Sequence, residues 1–245
     1  THRASLTTLG RDQGIFQYVA WAVGLGDVDY RDVRDVNGPL IHLVHAVMLA
    51  LGGADEHRFR VLDLWATGLS FAFVGACIPG LVARARVTWL ERAAWAAAAW
   101  VVLGAQYHLY LYWNQAQRES FCDWFLLPSL ALQLAAPPRG PDAARSAARR
   151  VVAIAALSVV PWFGKPSYVP FTVMQLGVLL IDRELPLPRR DRLLRFALGG
   201  ALGALVPLLY LFVRGDLLAF LRISLVDVPR VYRFIWVKSP QEIFV

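Results

Sequence analysis

Six long apolar blocks dominate this 245-residue chain, at 61–83, 93–113, 120–136, 151–164, 167–181 and 193–213. Most approach the roughly 20 residues that an α-helix needs to cross a hydrocarbon core of about 30 Å. The fourth and fifth are short, and Phe163-Gly164-Lys165-Pro166 breaks the chain between them. None shows the alternation of a transmembrane β-strand. The pattern predicts an all-α fold, a polytopic transmembrane helix bundle of about six helices over 61–213. Ahead of it, Ile15, Val19, Ala22 and Val23 recur at helical spacing, with Asp12, Gln13 and Gln17 toward the other side. A second apolar helix covers 40–51. Both are too short to span, so they are expected to lie along the interface or pack on the bundle. Between them, residues 26–39 are acidic and turn-rich. Three regions follow: an outward-facing loop with two interfacial helices (1–60), the bundle (61–213), and the start of a second outward loop (214–245).

Composition agrees with a membrane protein. Charged residues make up 18% of the chain and hydrophobic ones 57%, against about 25% charge in a soluble domain. The net charge of +7 does not point to nucleic acid, because the basic residues sit in short loops between apolar blocks. Arg84, Arg86 and Arg92 fill one such loop; Arg139, Arg145, Arg149 and Arg150 fill a second; Arg183, Arg189, Arg190, Arg192 and Arg195 fill a third. The alternate short loops hold only Arg118 and Lys165. By the positive-inside rule the arginine-rich loops are cytoplasmic. Residues 1–60, 110–119, Lys165 and the tail after Val213 then face outward. The expected location is the plasma (inner) membrane, multi-pass, with the site open to the outside or periplasm. The chain opens at Thr1, and at least one span is expected ahead of it.

A carboxylate beside a bilayer is costly to desolvate, which makes each one here a site candidate. Plain roles exist for all of them. Asp12 precedes a helical pattern and suits an N-cap. Tyr30, Asp32 and Asp35 suit a loop held by local side-chain bonds, and Asn37 a turn before Gly38-Pro39. Glu119 stands where a block begins, able to cap it or to pair with Arg118. Arg60 can snorkel or pair with Asp63, three residues on. Lys165, one of two lysines in the chain, can snorkel from between two short blocks. His42 and His45 fall at i and i+3, but no carboxylate stands at a matching helical spacing to complete a metal site. Cys77 and Cys122 have no neighbour at zinc spacing. Trp65, Trp89, Trp113, Trp162 and Trp236 near the block ends read as an aromatic belt.

The order of polar motifs adds a further reading. The chain carries Asp12-Gln13-Gly14, then Phe16 and Tyr18, Gly24 and Gly26, Tyr30-Arg31-Asp32 and Asn37-Gly38-Pro39-Leu40. Arg60 with Asp63, Gln117-Arg118-Glu119 and Lys165-Pro166 follow. This succession resembles the GT-C glycosyltransferases, in particular the protein O-mannosyltransferase and lipid A aminoarabinose transferase group with its bacterial relatives. Two positions depart from that pattern. Gln13 stands where relatives often have a second acid, and Asn37-Gly38 replaces a Lys-Pro, removing a lysine that in some relatives meets the lipid phosphate.

The resemblance implies inverting transfer of a sugar from a polyprenyl-phosphate donor to a lipid, glycan or protein acceptor on the outer face. A general base must take the acceptor proton, and a cation must balance charge developing on the leaving phosphate. In that scheme Asp12 is the base and Lys165 or Arg60 the phosphate partner, with Tyr30, Asp32, Asn37 and Glu119 around the substrate. The resemblance assigns no metal, and the carboxylate-rich loop suits a divalent ion or none. Two other classes fit the composition: a transporter or flippase of polar lipids, whose broken helices would repeat between halves, and a non-catalytic membrane scaffold.

Overall fold

The computed structural model describes residues 9–82, 87–109 and 115–235, and among these it is all-α, with no strand. The helices are α1 (Arg11–Leu25), α2 (Pro39–Gly52), α3 (Glu56–Val82), α4 (Trp89–Leu109) and α5 (Arg118–Leu134). They continue as α6 (Ala143–Val159), α7 (Val169–Ile181), α8 (Arg189–Arg214), α9 (Leu217–Arg222) and α10 (Val228–Ile235). Two 3-10 turns, Val160–Phe163 and Pro166–Tyr168, join α6 to α7, and a π-helical turn, Ile223–Asp227, joins α9 to α10. Among the described residues, three helices are long and apolar enough to cross a membrane: Glu56–Gly80, Ala143–Phe163 and Arg189–Arg214. Arg84, Arg86, Trp113 and Trp236 lie outside the described residues.

The two periodic stretches ahead of the bundle are α1 and α2. Helix α1 starts behind Gly10, whose N–H donates to the Gln13 side chain, so Asp12 stands inside the first turn and not at the cap. The helix stops at Gly26, whose φ of 117° is a left-handed geometry that glycine adopts without a Cβ clash. Helix α2 starts at Pro39, where the missing N–H is no loss because the first turn has no intrahelical partner for it.

Five helices begin ahead of their apolar blocks: α3 at Glu56, α4 at Trp89, α5 at Arg118, α6 at Ala143 and α8 at Arg189. The arginines there have a structural use. Arg150 on α6 donates to the carbonyls of Gln133 (3.0 Å), Ala136 (2.8 Å) and Ala135, the open C-terminal end of α5. Arg192 on α8 is buried and donates to the carbonyls of Leu179 (2.7 Å), Asp182 (2.5 Å), Leu185 (2.8 Å) and Leu187 (2.8 Å). Arg92 on α4 reaches the Ala76 carbonyl on α3 (3.0 Å). The last carbonyls of a helix have no partner within it, and a guanidinium supplies several donors at once.

Small residues bring the helices together. A Cβ at Gly199 or Gly203 on α8 would strike the carbonyl oxygens of Val152 and Ala156 on α6, so the two backbones meet over one helical turn. Below that contact, Val151, Ile154, Ala155, Leu179 and Phe196 form a buried core. Gly75 on α3 packs in the same way against Trp95 and Ala99 of α4. Helix α5 joins both pairs: Trp124 donates to Thr67 on α3 (2.8 Å), and Ser129 donates to the Ile154 carbonyl on α6 (2.9 Å). Gly38 leads α2 directly onto the Phe163 carbonyl, a contact no larger residue permits.

Candidate functional site

One end of the bundle gathers the starts of α2 and α5, the turns around Lys165 and the end of α8. The loop between α1 and α2 is laid on α8 by two backbone bonds: Asp29 N–H to the Arg214 carbonyl and Asp216 N–H to the Asp29 carbonyl, both 3.0 Å. This sets Asp29 at the mouth of the bundle, wholly buried.

The Asp29 carboxylate accepts from the Tyr210 hydroxyl (2.8 Å) and from His42 Nδ1 (2.7 Å) through the same oxygen. The other ring nitrogen of His42 lies 2.9 Å from the Asp35 carboxylate. Two carboxylates can only accept, so both nitrogens carry protons and the ring is an imidazolium. Burial opposes that charge, but the bonds from Asp29 and Asp35 outweigh it and push the His42 pKa up to about 9. Asp35 is held below the usual carboxylate range: its burial works against ionisation, while His42, Asn37 and the Val36 N–H favour it.

The network runs on from Asp35. The Asn37 amide donates to both Asp35 oxygens (2.9 and 3.0 Å), and its carbonyl oxygen takes a bond from Arg118 Nη1 (2.9 Å). Arg118 Nε reaches Glu119 (3.1 Å), and Lys165 Nζ meets the same Glu119 oxygen at 2.7 Å. Glu119 is kept ionised below its ordinary pKa; burial opposes this and the Lys165 bond prevails. Three cations face three carboxylates along a continuous line from the buried Asp29 to the half-buried Lys165. Asp123, one turn beyond Glu119 on α5, accepts from Tyr168 (3.1 Å) beside Lys165.

A second polar cluster ties α1 to this end. Gln13 is wholly buried; its side chain receives Arg60 Nη2 (3.1 Å) and donates to the Gln115 carbonyl, three residues ahead of Arg118. Arg60 also approaches the Gln115 carbonyl (3.4 Å). His45 lies among Phe16, Phe59 and Phe121, with Nδ1 2.8 Å from the Gln17 side-chain oxygen. An oxygen acceptor there places the proton on Nδ1. Burial, with His42 and Arg60 as nearby cations, pushes the His45 pKa down to about 3, so the ring is neutral.

Directly behind α2 is an apolar cavity of about 440 Å³. Leu40, Leu43, Val44 and Val47 of α2 form one wall, and Leu62, Trp124, Ala156, Gly203 and Val206 from four other helices form the rest. Helix α2 is thus a partition: His42 faces the ionic network and the adjacent Leu43 faces the cavity.

The structure brings Asn37, Glu119 and Lys165 into one network and places Tyr30 against it, its hydroxyl donating to the Asn37 carbonyl (2.7 Å). Arg60 lies in the Gln13 cluster and is fully buried, so it does not snorkel. Asp32 is exposed on the loop, where Arg31 and the Val28 N–H draw its pKa down to about 2. Asp12 is exposed on the first turn of α1, and among the described residues nothing bonds its carboxylate. Asp29, His42, Arg118 and Tyr210 were not singled out as site residues from sequence. Helical spacing carries no sign of His42's partners, because its carboxylates stand 13 and 7 residues earlier, on the loop. No three His, Cys, Asp or Glu side chains among the described residues are arranged to hold a metal ion. Comparison with protein-family models, curated proteins and solved structures gives no match.

Proposed function

We propose that this chain is part of a multi-pass membrane glycosyltransferase that moves a sugar from a polyprenyl-phosphate donor to an acceptor on the side bearing the ionic network. One observation carries the reading: a half-buried line of charges and an apolar cavity share helix α2. A lipid-phosphate sugar is an amphiphile that needs both, its chain in apolar surroundings and its head among polar groups. The succession of motifs from Asp12 to Lys165 supports the same class. In this reading α1 and α2 lie at the outer boundary of a six-helix bundle whose arginine-rich loops face the cytoplasm.

The roles follow from what each group is free to do. The acceptor hydroxyl attacks the anomeric carbon as the bond from that carbon to the phosphate oxygen breaks on the opposite face, which inverts the centre. The hydroxyl proton passes to a carboxylate. Asp35 and Glu119 already bond cations, whereas Asp12 has an open carboxylate, and Gln13 fixes its turn next to the segment leading to Arg118. In this reading Asp12, the acid of the first motif, is the base. The polyprenyl phosphate departs with a second negative charge, which Lys165 and Arg118 meet; Glu119 holds both cations in place until the donor arrives.

The test is transfer from a labelled polyprenyl-phosphate sugar by the full-length protein in vesicles, with wild type and Asp12→Asn. The expected result is donor consumption by wild type and a loss of about 10²–10⁴-fold in the variant, the range for a removed general base. Undiminished turnover by Asp12→Asn would remove Asp12 from the mechanism. Movement of an intact lipid across the bilayer without sugar transfer would make the protein a transporter instead.

A further inference from the structure

Beside the ionic network, but walled off from it by Tyr30, lies a separate basic groove of about 270 Å³. We propose that it is a second site, for the phosphate of an anionic ligand. Its walls come from distant parts of the chain: Arg31 and Arg34 from the loop after α1, and Arg222 and Asp227 from α9 and the π-helical turn. The backbone bonds of Asp29 to Arg214 and Asp216 hold the two walls together, and Asp216 caps α9 through the Ala219 N–H (3.0 Å).

Three features make the groove a built site and not a scatter of surface arginines. Arg31 has its counter-ion in Asp32, but Arg34 and Arg222 have no ion-pair or hydrogen-bond partner among the described residues. Both residues line one concavity, with a single acid, Asp227, on its wall. Tyr30 is held at φ 67°, a left-handed geometry that strains a bulky residue. Its hydroxyl bond to Asn37 and its packing on Phe220 (5.0 Å) keep it there, so that its ring divides the groove from His42. The π-helical turn, a feature frequent at functional sites, lines the opposite side.

The chemistry that fits is a phosphate. Guanidinium forks match phosphate oxygens two at a time, and two of them beside Arg31 can hold a dianion. That phosphate can belong to a lipid headgroup or to a soluble phosphate; exposed Leu218 at the lip is compatible with the first. The site goes beyond the sugar-transfer reading and does not depend on it, because it shares no charged residue with the network.

The test uses the whole chain in neutral detergent. Inorganic pyrophosphate, titrated calorimetrically, should bind saturably at one site. Arg34→Gln/Arg222→Gln should weaken it by at least about tenfold, from the loss of charge-assisted bonds, and Asp227→Asn should tighten it. Arg183→Gln, an exposed arginine on the turn after α7 at the opposite end of the bundle, should leave it unchanged. Both arginines are exposed, so an unfolding midpoint within error of wild type is expected for the double variant. In parallel, native mass spectrometry after reconstitution with phosphatidylcholine, with and without phosphatidic acid, identifies the source. Phosphatidic acid retained by wild type and lost from the double variant assigns a lipid headgroup; pyrophosphate binding without such retention assigns a soluble phosphate. If neither probe binds, or if the double variant binds both as wild type does, the proposal is overturned.

Discussion

The two ends of the helix bundle are both basic, yet their cations bond to different things. At the end holding Arg92, Arg150 and Arg192, guanidinium groups donate to backbone carbonyls: Arg150 and Arg192 at the ends of α5 and α7, and Arg92 to Ala76 within α3. At the other end, His42, Arg118 and Lys165 are matched to carboxylates. A carbonyl at a helix end must be satisfied for the fold to close, so the first set stabilises structure. A half-exposed carboxylate–cation pair contributes little to stability, so the second set from Arg118 to Lys165 does not hold the fold together. The buried Asp29–His42–Asp35 segment lies between these cases, anchoring that line of charges to α8 through Tyr210.

The sharpest way to break this contrast is at its buried anchor. Asp29→Ala leaves the His42 imidazolium and the Tyr210 hydroxyl without their shared acceptor. A loss of about 3–5 kcal/mol is expected, as for other buried pairs that lose one partner, read as a lower unfolding midpoint in detergent. A midpoint unchanged from wild type would show that the network does not anchor the loop.

Titration probes the same anchor without a mutation. His42 is raised in the folded state to about 9, from an ordinary value of 6.5. Its contribution is therefore complete below pH 6.5 and lost as the pH climbs through about 9. The shift corresponds to a loss on the order of 3 kcal/mol over that window. His42→Gln should flatten the stability profile there, and a profile equally steep in the variant would assign the pH dependence elsewhere.

At the opposite end, Arg192→Ala leaves four carbonyls without their donor. Destabilisation by about 2–3 kcal/mol is expected from the loss of a charged donor to buried acceptors, with sugar transfer per folded molecule unaffected. The smallest effect belongs to Glu119→Gln, which opens the half-exposed pair with Lys165 and should change stability by less than about 1 kcal/mol. Similar stability losses for Arg192→Ala and Glu119→Gln would erase the distinction between the two ends.

Much of the scaffold was legible in the sequence. Apolar periodicity located α1 and α2, and Phe163-Gly164-Lys165-Pro166 marked the break that the 3-10 turns make. Helix starts were not, because Arg145, Arg149 and Arg150 read as loop charges although their aliphatic stems suit a helix and Arg150 caps α5 from within one. The candidate site was legible in part. Asn37, Glu119 and Lys165 stood out as polar residues at the ends of apolar blocks, and the structure joins them. Their connector Arg118 reads in the sequence as the plain partner of Glu119. The Asp29–His42–Tyr210 contact spans 181 residues between Asp29 and Tyr210. No local spacing can signal it; only the packing of the loop on the end of α8 creates it.

The most direct test of the central claim is a Lys165→Gln variant of the full-length protein, measured for transfer from a polyprenyl-phosphate sugar and for unfolding in the same detergent. A cation at the leaving phosphate predicts a fall in turnover of about 10²–10³-fold, with the unfolding midpoint almost unmoved. Undiminished transfer, or no transfer by wild type at all, would contradict the account.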